Sequence, residues 1–319
     1  GAPKIDSGGT GASNVDKGNV RVYTWNNTHY IQRGSDIDGE AGRDESFISI
    51  SLSGNGLVLA IGAPKNDADT GNSNKGHTRV YFWNGTAYVQ RGIDIDGVVA
   101  NDVSGTSVSL SYDGSVLAVG TPFNDAGETS ASNVDRGQVR VYTWNNTTYI
   151  QRGSAIDGEA GNVLLGTSIS LSGNGFVLAI GAPNNGNGTS SGHTRVYFWN
   201  STTNTHVQRG IDLDGEAANE ESGTSVSLSY SGFALAVGAP KNDNVATSTT
   251  VDRGRVRVYT WDGMKYTQQG TDIVGEADGD SFGKSVTLSA NGRVLGIGGP
   301  LSNGVIGADS GSVRIYNLD

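Results

Sequence analysis

The sequence predicts an all-β fold, a β-propeller of four-stranded antiparallel blades, and three observations carry that prediction. All five tryptophans (Trp25, Trp83, Trp144, Trp199, Trp261) and all six prolines (Pro3, Pro64, Pro122, Pro183, Pro240, Pro300) fall at fixed places in one repeated unit. A chain that commits every Trp and Pro to one unit is a repeat protein. Each full unit also carries a tight hairpin signal, at Gly54-Asn55-Gly56, Asp113-Gly114, Asn174-Gly175, Ser231-Gly232 and Asn291-Gly292, between two apolar runs. Finally, Gly contributes 49 residues, about twice its usual share, and no long segment has a helical period.

In chain order, residues 1 to 19 align without a gap with 120 to 138 and read as a connecting loop whose preceding strand is missing. Val20 to Trp25 then alternates Val20 and Val22 against Arg21, Tyr23 and Trp25, the period of two of a strand. Asn26-Asn27-Thr28 turns the chain, Tyr30 to Arg33 returns, and Gly34 to Glu45 is a Gly- and Asp-rich connection. Phe47 to Leu52 and Leu57 to Ile61 flank the first inner hairpin; later copies are Val108 to Val119, Ile169 to Ile180, Val226 to Val237 and Val286 to Ile297. The unit therefore has four strands, A to D, counted from this hairpin. Its C strands start at Val20, Thr78, Val139, Thr194, Val256 and Val313, spaced by 58, 61, 55, 62 and 57 residues. The variation sits in loops.

Tandem four-stranded antiparallel units are propeller blades, which leave only short protected edges. The alternative, a right-handed parallel solenoid, has shorter coils and no hairpin in every unit. Five A strands favour five blades, with six or seven if the chain is a fragment of a longer one. Residues 1–319 are read as a single domain of five repeats with incomplete first and last units.

Gly62-Ala63-Pro64 and its copies, Phe282-Gly283, and the pairing of Ser-Val-Ser-Leu-Ser with Leu-Ala-Val-Gly-Ala-Pro resemble the FG-GAP repeats of integrin-α-type propellers. The resemblance spans essentially the whole chain and implies an extracellular adhesive propeller. Phe-Gly survives only at 282 to 283, being Phe47-Ile48, Ser104-Gly105, Leu165-Gly166 and Ser222-Gly223 elsewhere. Family members usually close seven blades. The strand count also leaves a surplus: the N-terminal D strand, Tyr30 to Arg33, is expected to complete the blade begun by Ser285 to Tyr316, or else the end strands mate between molecules. An unpaired edge is a template for another chain, so self-association through end strands or acidic loops is expected.

Composition excludes several classes. A formal net charge of −10 disfavours nucleic acid, which is bound by clustered Lys and Arg. No apolar run approaches the length needed for membrane insertion, and without cysteine no disulfide is available. The acids concentrate in the B-to-C and D-to-A loops, so one face should be strongly negative. The motif there is Asp36-Ile37-Asp38-Gly39-Glu40, then Asp94 and Asp96, then Asp212, Asp214 and Glu216, then Asp272 and Glu276, while Ala155 breaks it in one unit. Such carboxylates could share Ca2+, which takes several oxygens, or could cap turns and pair with arginines such as Arg33. Integrin-type calcium loops sit instead in the A-to-B hairpin, here only a tight turn.

Paired carboxylates also suggest a hydrolase, but they repeat around the ring whereas an active site needs one asymmetric constellation. His77 and His193 share one repeat position, and His29 and His206 lie at or near the start of D strands. Lacking a nucleophile elbow or phosphate loop, the chain is expected not to be an enzyme.

Asn26, Asn84, Asn145 and Asn200 each follow a repeat Trp and each open an Asn-x-Ser/Thr sequon, with Asn146 overlapping and Asn187 in a B-to-C loop. The fifth copy, Asp262-Gly263, lacks it. Asn also suits a turn needing positive φ. Covalent N-glycans at these tips would place the chain outside the cell or on its surface. The sequence thus leads one to expect an extracellular N-glycosylated propeller with a structural or adhesive role, such as a building block of a surface or filamentous assembly. The alternatives are a calcium-dependent ligand- or glycan-binding module and, more remotely, a hydrolase.

Overall fold

A computed structural model describes residues 18–40, 48–66, 74–125, 134–185, 190–243, 252–302 and 310–318. It is an all-β structure of five antiparallel blades arranged as a five-blade β-propeller. The A strands are Ser49–Leu52, Ser107–Leu110, Ser168–Leu171, Ser225–Leu228 and Ser285–Leu288. Each pairs with its B strand and then its C strand, and four blades add a D strand. The fifth, ending in Ser312–Asn317, has three strands among the described residues.

One element escaped the sequence reading. The D-to-A connection holds a strand of two residues that folds back onto the start of the C strand, as Ile95–Asp96 does on His77 and Thr78. Two residues are too short to show a period. Their effect is local: each brings the acidic motif against the first residues of the C strand.

The core lies between blades. Val139 and Val141, on the C strand Gln138–Trp144, are at most 2% exposed and pack with Leu178 and Ile180 of the following blade. Burying such side chains contributes about 1.5–3 kcal/mol each. Serines join the A strands across the same interfaces. Ser107 donates to the Gly166 carbonyl, and Ser109 accepts from the Leu171 amide. At the opposite corner the arginine ending a D strand lies over the next blade's Trp, with Arg91 4.3 Å from Trp144 and Arg152 4.3 Å from Trp199.

The N-terminal strands differ from expectation. Tyr23–Trp25 and Tyr30–Gln32 form their own two-stranded ribbon and do not pair with Ser312–Asn317. Val20 and Ile37 instead pack on Leu59, Ile61 and Tyr88 of the first complete blade. Their apolar side chains find a partner there as other C strands find one in the next blade.

Candidate functional site

The start of every C strand presents two residues, one apart, on one face of the sheet: Asn19 and Arg21, His77 and Arg79, Gln138 and Arg140, His193 and Arg195, Arg255 and Arg257, Ser312 and Arg314. At the four inner pairs the folded-back acidic loop of the same unit and that of the preceding unit converge. Arg79 donates to Asp94 (2.8 Å) and pairs with Glu40 of the preceding loop. Arg195 donates to Asp212 (2.8 Å) and pairs with Glu159. Gln90 and Gln208 brace these aspartates at 2.6 Å. Burial opposes ionisation of Asp94 and Asp212, but the arginine hydrogen bonds prevail and hold both carboxyls below the usual carboxylate range.

The histidine is what distinguishes two of these positions. His77 is 4% and His193 2% exposed. Burial, and then the neighbouring Arg79 or Arg195, pushes each imidazole below its ordinary range, so the ring is neutral at pH 7. The atoms of Glu40, His77 and Asp94, and likewise of His193, Asp212 and Asp214, lie within 4.8 Å of one another. A neutral imidazole, a fixed guanidinium and two carboxylates can move a proton and stabilise an oxyanion.

The fourth blade replaces the histidine with a second cation. Arg255 donates to the buried Glu220 (2.7 Å) and to Asp272 (2.6 Å), while Glu216 reaches both Arg255 and Arg257. Asp36 is held by Arg21 at 2.9 Å, and Glu276 by Arg314 at 2.6 Å. The acids singled out in the sequence are thus brought together around arginines; Asp38 and Asp96 lie on the two-residue strands beside them. The two histidines, noted in the sequence at one repeat position, gained no role there because their carboxylate neighbours come from other parts of the chain. Their signal was legible as His-x-Arg opposite Asp-x-Asp-Gly in alternate units.

The C-to-D tips are exposed at Asn26, Asn84 and Asn145, and Asn200 is half-buried. Each side-chain oxygen accepts the amide two residues on, closing the turn. Asp262 does the same for Met264, so turn chemistry accounts for an Asn or Asp there. The positive φ belongs to the following residue, 77° at Asn27 and 75° at Asn146. Asn187 lies outside the described residues.

The class defined by fold and site is a five-blade propeller with a cation–carboxylate cradle at the head of the C strands other than that of Arg140. No family model matches the chain, and no curated relative matches it. Solved structures do. A protein provisionally named a 6-phosphogluconolactonase from Bacteroides uniformis ATCC 8492 is similar at TM-score 0.58 and 10% identity, over 92% of this chain and 76% of that one. The periplasmic gluconolactonase PpgL of Pseudomonas aeruginosa is similar at TM-score 0.58 and 15% identity, over 98% and 76%. Hydrazine synthase of Kuenenia stuttgartiensis is similar at 0.53 and 13%, over 90% and 69%. Likeness at this identity shows the fold.

These comparisons correct two expectations. The structural or adhesive role and the exclusion of an enzyme both lose their support, because solved structures of similar fold carry the name gluconolactonase. The physical error lay in treating the repeated acids as equivalent. His, Gln, His and Arg stand at the same place in successive blades, so the ring is not symmetric at these positions. The FG-GAP resemblance reduces to the five-blade propeller itself.

Proposed function

We propose that the chain is a hydrolase acting on a lactone or similar ester of a small polyhydroxylated acid. The observation that carries this reading is the neutral, buried His193 beside Arg195, with Asp212 and Glu159 fixing the guanidinium. Gluconolactonase names among proteins of the same fold support it. In the proposed reaction His193 takes a proton from water as its oxygen bonds to the carbonyl carbon. Arg195 stabilises the oxyanion, the ring C–O bond breaks, and the proton passes to the departing alkoxide. His77 with Arg79 offers a second copy of the arrangement.

The test is a pH-stat assay on glucono-δ-lactone. Replacing both histidines (His77→Gln with His193→Gln) is expected to remove acceleration over the spontaneous rate by at least ~100-fold. Wild-type protein that does not exceed that rate, or a double variant as fast as wild type, overturns the reading.

The finer kinship with FG-GAP repeats and the N-glycosylation of Asn26, Asn84, Asn145 and Asn200 belong to the same proposal. Gly62-Ala63-Pro64 with Phe282-Gly283 supports the first, and tip accessibility the second. A mass decrease on enzymatic deglycosylation of native material is the expected outcome, and it would place the chain in the secretory route.

A further inference from the structure

Arg140 departs from the pattern that the other arginines keep. The same-unit aspartate that meets Arg79 and Arg195 as Asp94 and Asp212 is Ala155 here. The preceding-loop glutamate that meets them as Glu40 and Glu159 is Val98, 63% exposed. Arg140 has therefore lost both carboxylates, yet it is as buried as its counterparts, at 9% exposure. Among the described residues it forms no ion pair; its Nε has no hydrogen-bond partner, Nη2 reaches the Asp96 carbonyl at 3.5 Å, and the guanidinium otherwise lies against the Tyr142 side chain, with the Asp102 carboxylate in electrostatic reach.

The surrounding groups leave the same vacancy. Gln151 donates to the Gly153 carbonyl as Gln32 and Gln268 do to Gly34 and Gly270, but where those two also reach Asp36 and Asp272 it meets Ala155. Gln138, in the histidine's place, donates to Asp157 at 2.7 Å. The buried Asp102 feels the charge of Arg140 but spends its hydrogen bonds on the Val99 amide and Asn124. Arg136 donates to the Gly158 carbonyl. A buried guanidinium with no carboxylate in direct contact is costly, and two separate replacements remove both contacting carboxylates from Arg140.

We propose that Arg140 is a binding site for the carboxylate of a small soluble acid, which takes the place occupied in sister blades by Asp94 or Asp212. The fork of the guanidinium accepts a carboxylate with two hydrogen bonds, and Gln151 is free to turn back as a second donor. The choice of gluconate as the acid rests on the hydrolase reading, but binding is measured without turnover, so the two can fail separately.

The experiment is calorimetric titration of the whole protein at low ionic strength with sodium gluconate, and separately with sodium phosphate, against chloride. Gluconate is expected to bind at one site. Arg140→Gln should weaken it at least tenfold. Ala155→Asp, which restores the carboxylate of the sister blades, should weaken it at least tenfold while raising Tm. Binding equally tight in both variants, or no gluconate binding by wild type at millimolar concentration, overturns the proposal. Phosphate binding with gluconate silent overturns the carboxylate assignment.

Discussion

His206 stands where the other D strands place a tyrosine. Trp83, Trp144 and Trp261 meet Tyr88, Tyr149 and Tyr266, whose hydroxyls donate to the Gly56, Gly114 and Gly232 carbonyls. Trp199 meets His206 instead, whose Nδ1 is buried without a partner. Burial, reinforced by Arg152, pushes this imidazole down to about 4. As pH falls below 6.5 the unfolded chain takes up the proton first, so stability is lost between pH 6.5 and 4 and levels off below. The loss amounts to about 3 kcal/mol. His206→Tyr is expected to flatten the dependence of Tm on pH across that window. It should also add about 1 kcal/mol at pH 7 through the regained hydrogen bond. Thermal melts from pH 4 to 8 check both, and an unchanged slope in the variant would mean that other groups set it.

At the scale of the element, the arginine that ends each D strand clasps the next blade. Arg152 lies over Trp199 and donates to the Gly175 carbonyl at 3.1 Å; Arg209 lies 4.3 Å from Trp261. The last D strand carries Gln269 instead, and the fifth blade has Leu318 where the others have Trp. Arginine and tryptophan disappear together because neither has a use without the other. Arg152→Gln is therefore expected to cost about 2 kcal/mol, whereas Gln269→Arg should change stability by less than about 0.5 kcal/mol. Urea titrations of the two variants separate these outcomes. The contrast also shows what was legible in the sequence. Strands, blade count and the fixed tryptophans could be read because they recur with a period. The partner of each arginine could not, since it lies in the following or preceding unit. Nor could the two-residue strand that carries Asp96 to His77. Ala155 was visible as a lost acid; that Val98 removes the second acid from the same guanidinium needed the fold.

For the molecule as a whole, the interfaces between blades are not interchangeable with its two ends. A Cβ on Gly181 would lie 1.9 Å from the Gly223 carbonyl oxygen, and one on Gly223 would lie 2.4 Å from the His193 carbonyl oxygen. Gly223 also has φ +88°, a region closed to most side chains. The same contact recurs between Gly62 and Gly105, Gly120 and Gly166, and Gly238 and Gly283. In the first blade the position is Ile48, 47% exposed, and the A strand behind it leaves Ile50 and Leu52 similarly open. At the other end Val313 is 73% and Ile315 67% exposed, where their counterparts Val139 and Val141 are buried. Glycine is thus required at these four interfaces, and among the described residues isoleucine stands where no such contact is made. Gly223→Ala is expected to cost at least about 3 kcal/mol, combining backbone strain with collision against two neighbouring strands. Ile48→Gly removes only a half-exposed side chain and should cost less than about 1 kcal/mol. Comparable losses in the two variants would mean that the first blade is enclosed by the same close glycine contact as the rest, and the two ends would then have to meet as ordinary neighbours.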